Sequence, residues 1–356
     1  MWRNLRQFAP VLIVICVFGA EFGRAALALE DGVASDDEGK SSGLREKIRE
    51  RIRSRMSGNQ KPETGATPPV QPKNGPGGAD YKHEKVEKSN WGEGDEEFWL
   101  FEPADPKPEK APVIIFMHGW SAMKPTPYTE WIEHLVRRGN IVIYPRYQAK
   151  ISTKPTTFTA NAVGAIKAAF AVLDQEKHVH PDREKVAVAG HSFGGIIAAN
   201  IAATAGNDLP SLKAVMCVEP GTGGFSAYED YSKIPAKTLL LCVAGDEDKL
   251  VHDTDAKRIF NESTSISKSD KNFILVNSDN HGAPPLAAGH MAPTSEGGAQ
   301  NALHWFGYWK WLDGLTDAAF YDKNRNYALG NTIEQRYMGR WSDGKAVVEP
   351  RVTEAQ

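Results

Sequence analysis

From position 98 onward, short and nearly uninterrupted apolar runs alternate with longer stretches in which apolar residues recur every three or four positions. The short runs span 98–101, 113–117, 141–144, 186–189, 214–218, 238–243 and 273–276. A strand that is apolar at every position needs cover on both faces, which a parallel sheet flanked by helices supplies. The stretches 128–138, 158–175, 195–205, 253–260 and 301–312 predict those helices. The alternation therefore predicts an α/β chain with a mostly parallel, twisted sheet and helices on both faces. Between the runs ending at 218 and beginning at 238, about twenty residues including Gly221, Gly223 and Gly224 leave no room for a large helical lid.

The pattern bounds a domain at 91–315. Residues 29–90 are rich in Gly, Pro, Ser, Lys and Glu and bury too little apolar surface to offset chain entropy, so a disordered linker is expected there. Within it, Leu44, Ile48 and Ile52 recur every four residues among Arg45, Arg49, Arg51, Arg53 and Arg55. The segment 44–56 reads as a solvated tail, with a basic amphipathic helix on an anionic membrane surface as its alternative. Residues 316–356 are polar and read as a tail or strap. At the other end Arg3 and Arg6 precede an apolar run over 9–20, followed by Ala26-Leu27-Ala28. This predicts a signal peptide over 1–28 and an exported mature protein. The rival, a retained anchor, has a run short of the ~20 residues that span a bilayer.

Charge narrows the partners. With 42 basic and 45 acidic residues the formal net charge is -3, and no global field draws nucleic acid. Cys16 lies in the leader, while Cys217 and Cys242 lie inside strand-like runs and are expected as buried free thiols. Neither Cys217 nor Cys242 has metal-ligand spacing or a nearby activating motif, so neither is given a chemical role.

Candidate chemistry begins at Gly190-His191-Ser192-Phe193-Gly194-Gly195, between an apolar run and an Ala-rich helical stretch. A strand that turns sharply into a helix at a serine flanked by glycines is the context of a nucleophile elbow. The helix N-terminus then places the backbone N–H of Phe193 where an oxyanion would form. A second donor is expected from the loop His118-Gly119-Trp120 after the 113–117 run, which selects the N–H of Trp120, with His118 holding the loop. A serine hydroxyl needs a base, and the base needs a carboxylate to fix its tautomer. In the loop after the last apolar run, Asn280-His281-Gly282 makes His281 the expected base, with His290 as alternative and His252 and His304 as packing or surface residues. Asp248, in the turn after the 238–243 run, is the expected acid; Glu219 and Asp246 are its alternatives.

Taken in order, these motifs resemble the α/β-hydrolase superfamily, and among its branches the dienelactone hydrolases and cutinase-like esterases. The resemblance implies an α/β-hydrolase fold with a sheet of about eight strands, acyl-enzyme chemistry and no cofactor. Dienelactone hydrolases use a cysteine where this chain has Ser192, and the paired downstream cysteines of many cutinase-like enzymes are missing here. The expected function is an exported serine hydrolase acting on a small or medium carboxylic ester. A peptidase or amidase of the same fold, and a non-catalytic binding domain, are the alternatives.

Overall fold

The computed structural model describes residues 62–354, apart from positions 205, 207, 226 and 296–299. The leader-like residues 1–28 and the basic segment 44–56 lie outside the described residues.

All seven expected strands form, in a nine-stranded sheet. In chain order the strands are β1 (Lys85–Trp91), β2 (Phe98–Ala104), β3 (Lys110–Met117), β4 (Ile141–Pro145), β5 (His180–His191), β6 (Leu212–Val218), β7 (Leu239–Gly245), β8 (Lys271–Val276) and β9 (Arg351–Glu354). Their spatial order is β1-β2-β4-β3-β5-β6-β7-β8-β9. Neighbours from β4 to β8 pair in parallel, while β1 and β2 at one edge and β9 at the other pair antiparallel. This is the mixed sheet of an α/β-hydrolase fold.

The helices are α1 (Thr129–Arg137), α2 (Phe158–Leu173), α3 (Phe193–Thr204), α4 (Thr254–Glu262), α5 (Trp309–Tyr321) and α6 (Ile333–Arg336). Strand periodicity divides the core into two layers. In β3, Val113, Ile115 and Met117 join the layer covered by α2, α3 and α4, and Ile114 and Phe116 join the one covered by α1 and α5. Each of these five side chains is at most 1 % exposed, which explains why the run is apolar at every position. Burying one such side chain contributes about 1.5–3 kcal/mol.

Two expectations about the flanks are corrected. The linker expected over 29–90 does not hold for residues 62–90, which lie along the domain and end in β1. That stretch has little core of its own and is held by backbone pairing. The Glu63 and Thr64 amides donate to the Asn280 and His281 carbonyls, and the Ala283 amide donates to the Ala66 carbonyl. The tail expected over 316–356 instead completes α5, supplies β9 and buries Trp341, whose indole N–H donates to Asp279 at 3.0 Å. Buried Lys310 donates its ammonium hydrogens to the carbonyls of Glu334, Gln335 and Tyr337, fixing α6. The boundaries 91 and 315 thus fall inside one packed unit.

Candidate active site

β5 runs without interruption into the elbow. Ser192 has φ +58, a left-handed conformation that a residue with a side chain adopts only where its surroundings impose it. The imposition is steric: a Cβ at Gly190 would lie 2.1 Å from the Gly194 carbonyl oxygen, and one at Gly194 would lie 2.2 Å from that of Met117. The Ser192 amide donates to the Val218 carbonyl and the Gly195 amide donates to the Ser192 carbonyl, so the turn is fixed on both sides. Its side chain is left half-buried at the carboxyl end of the sheet.

The residue facing Ser192 is His290. Its Nε2 lies 2.9 Å from Ser192 Oγ, and its Nδ1 lies 2.8 Å from Asp248 Oδ2. An ionised carboxylate only accepts, so Nδ1 carries the proton and Nε2 presents its lone pair to the serine hydroxyl. Asp248 is buried, and its other oxygen accepts the Leu250 and Val251 amides at 2.9 and 3.0 Å. Burial raises its pKa, but the hydrogen bond and charge of His290, with the Val251 amide and Glu219, outweigh burial and hold it at about 2.

The expectation that His281 reaches Ser192 is therefore corrected. His281 sits on a side loop, where its Nε2 pairs with Asp343 at 2.7 Å and its Nδ1 faces Lys345 at 3.1 Å. The cause is the path of the chain after β8. Asp279 and Leu286 form an antiparallel bridge, turning 280–285 outward and returning the chain beside β7. There the Ala288 carbonyl accepts the Glu247 amide, at a point where a Cβ on Gly245 would lie only 2.0 Å from that oxygen. Two residues later the same path delivers His290 to Ser192.

The remaining candidates separate cleanly. Asp246 accepts the Ser278 amide and hydroxyl and ties the β7 turn to the chain leaving β8, without reaching His290. Glu219 lies fully buried beside Asp248 and accepts the Gly245 amide at 2.7 Å. His304 is buried with its ring against Trp309 and donates to the Thr294 carbonyl. Cys217 and Cys242 are buried free thiols at paired positions of β6 and β7.

Phe193 is the first residue of α3, so its N–H has no intrahelical partner. The other candidate donor lies on the loop after β3. Gly119 packs so closely that a Cβ there would lie 3.2 Å from the Ser192 Cβ. His118 holds this loop: its Nδ1 donates to the Gly119 carbonyl at 2.6 Å, and its ring stacks on Tyr147 at 4.1 Å. Burial pushes its pKa down to about 3, so it is neutral in the working range. Trp120 is half-buried, its indole edge-on to Phe158 and Phe193 and stacked on Phe225.

Two residues unremarked in the sequence complete the site. The Gly119 amide donates to the Tyr128 hydroxyl at 2.9 Å, Tyr128 lies 2.8 Å from His191 Nδ1, and His191 Nε2 lies 2.7 Å from the His290 carbonyl oxygen. A carbonyl can only accept, so His191 carries its proton on Nε2 and Tyr128 donates to Nδ1. Burial, and then the charge His290 can carry, push the His191 pKa down to about 3. A histidine in the second place of the elbow was the one available signal, and it has no meaning until its partners are located.

The family model described as Chlorophyllase matches residues 77–235. That span takes in the His118-Gly119-Trp120 loop, the elbow and Glu219, and ends before Asp248 and His290. No curated protein matches the chain.

Proposed function

We propose that the chain is a serine hydrolase of the α/β-hydrolase type that cleaves carboxylic esters through an acyl-enzyme on Ser192, with His290 as base and Asp248 as acid; the match to the Chlorophyllase family model over residues 77–235 and the mixed sheet support this reading. The observation that carries this reading is the unbroken chain from Ser192 Oγ through His290 to Asp248, at 2.9 and 2.8 Å.

His290 Nε2 takes the hydroxyl proton as Ser192 Oγ attacks the ester carbonyl. The Phe193 and Trp120 amides hold the resulting oxyanion, with the N-terminal dipole of α3 adding positive potential. The imidazolium then gives its proton to the leaving alcohol. Water repeats the sequence on the acyl-enzyme, returning Ser192 and releasing the acid.

The substrate is a small or medium ester with an apolar part. Trp120 and Phe225 stack at 5.1 Å, and Phe225 is 38 % exposed, so an apolar ring is open to contact beside the loop that carries Trp120. Between β6 and β7, the described residues contain one helical turn, Tyr231–Lys233, which leaves this side open. Export of the enzyme is part of the same proposal and rests on the basic, apolar and small-residue order over 1–28.

The test is a panel of chromogenic esters of increasing acyl length, with Ser192→Ala as control. Ser192→Ala should abolish both turnover and covalent labelling by a fluorophosphonate while keeping the wild-type circular dichroism. Full turnover by that variant sinks the assignment.

A further inference from the structure

Glu219 occupies the first position beyond β6, adjoining the acid of the site. It has φ +45, and its amide donates to the Val243 carbonyl at 2.8 Å, so its backbone is held in a left-handed conformation next to β7. Its side chain is wholly buried. One carboxyl oxygen accepts the Gly245 amide at 2.7 Å, and the other lies 3.3 Å from the Tyr308 hydroxyl. The Asp248 carboxyl adjoins the same group: Gly245, whose amide donates to Glu219, also accepts the Asp248 amide on its carbonyl at 3.3 Å. Among the described residues, no lysine or arginine forms an ion pair with either acid.

Two carboxyl groups this close in a low-dielectric interior do not both ionise; they share a proton. The donors decide which of them keeps the charge. Asp248 has the His290 ring N–H and two backbone amides, whereas Glu219 has one amide and a long contact to a tyrosine hydroxyl.

We propose that Glu219 is held as a neutral carboxylic acid that donates a hydrogen bond to the Asp248 carboxylate, and so acts as a positioning residue for the Ser192–His290–Asp248 set; this rests on the reading of that set as the catalytic triad. The proton on Glu219 gives Asp248 a further donor and fixes the plane of its carboxylate toward His290. It also leaves a single negative charge facing the imidazolium that forms when Ser192 attacks. Burial, followed by the Asp248 charge and the hydrogen bond to it, pushes the Glu219 pKa well above the carboxylate range. The titratable groups facing Glu219 are Asp248 and Tyr308, neither of which is a cation.

The experiment uses the full chain with Glu219→Gln and Glu219→Ala, measuring ester hydrolysis against pH, together with infrared spectra. An amide supplies an N–H to Asp248 in place of the acid O–H. Glu219→Gln should therefore keep kcat within about threefold and leave the acidic limb of kcat/KM unmoved, while Glu219→Ala should lose about tenfold or more in kcat. If the Gln variant shifts the acidic limb to lower pH, a negative charge has been removed, and the proposal is overturned. Equal losses in both variants also overturn it, since the amide N–H would then have failed to stand in for the acid O–H. The wild-type spectrum at about pH 8, above the range of exposed carboxylates, should show a protonated carboxylic acid band that Glu219→Gln removes. Absence of that band from the wild type, or its persistence in the variant, overturns the proposal. This readout needs no turnover, so it stands apart from any failure of Ser192→Ala to abolish activity.

Discussion

His191 donates from Nε2 to the carbonyl oxygen of His290 over 2.7 Å, which ties the elbow to the loop that carries the proposed base. Through Tyr128 the same ring is tied to the Gly119 amide, beside the proposed oxyanion donor Trp120. The loops after β3, β5 and β8 thus share one buried set of hydrogen bonds. Tyr128→Phe removes the hydroxyl at its centre and leaves Gly119 N–H and His191 Nδ1 without it. The expected outcome is a loss of about tenfold in kcat, equivalent to one hydrogen bond of about 1.4 kcal/mol, with little change in KM. Steady-state kinetics decide, and an unchanged kcat would detach this set from the chemistry.

The placement of the two histidine loops makes opposite forecasts for their substitution. His290→Ala should lower kcat by about 10³-fold or more, the scale of losing a general base. His281→Ala should leave kcat within about threefold and act on stability instead, because its ring pairs with Asp343 beside the backbone that anchors residues 63–66. Comparing the two variants by burst kinetics and thermal melting separates the roles. A large kcat loss in His281→Ala would contradict the observed path of the chain.

That pair also shows what could be read from the sequence. Ser192, Phe193, Trp120 and Asp248 are legible as candidates because each lies within three residues of a strand end, and strand ends follow from apolar runs. The proposed base, His290, is not legible in this way, because it lies fourteen residues past Val276, and the bridge between Asp279 and Leu286 that redirects the chain is a tertiary contact with no local signature. Residues 62–84 escaped for a related reason: their composition describes a chain that builds no core of its own, and says nothing about a neighbour that accepts its backbone hydrogen bonds. β1 was hidden by Lys85, Glu87 and Lys88, charges suited to an exposed edge strand.

Acid should weaken the fold well above the carboxylate range. His118 and His191 are pushed down to about 3 and His304 to about 4, in each case chiefly by burial. An unfolded histidine takes up its proton near pH ~6.5. A folded value below the unfolded one means that the unfolded state binds more protons between the two. Stability is then complete above about pH 6.5 and is lost as the pH falls from there toward 4, by up to ~1.4 kcal/mol per pH unit for each histidine. Urea midpoints measured from neutral pH down to about pH 5 should fall steadily, and His304→Gln should make the slope shallower by about one proton. A midpoint independent of pH over that interval would contradict neutral burial of these rings.

The docking of residues 62–84 can be tested at two glycines that share a backbone conformation and differ in surroundings. Gly75 and Gly77 have φ +82 and +78, so alanine is strained at either. Nothing lies within 4 Å of a Cβ at Gly75, whereas a Cβ at Gly77 would lie 1.9 Å from the Trp305 carbonyl oxygen. The Gly77 amide also donates to Asp313 at 2.8 Å, a buried carboxylate that in addition pairs with His134 at 2.9 Å and Arg138 at 3.1 Å. Moving the turn to relieve the clash would take a donor from that carboxylate, whose desolvation depends on all its partners. Gly75→Ala should cost about 1 kcal/mol, the strain alone, and Gly77→Ala about 3 kcal/mol. Limited proteolysis should cut the Gly77→Ala protein within 62–84 much faster than the Gly75→Ala protein. Equal melting temperatures and equal cleavage would mean that the strap is not held by this contact.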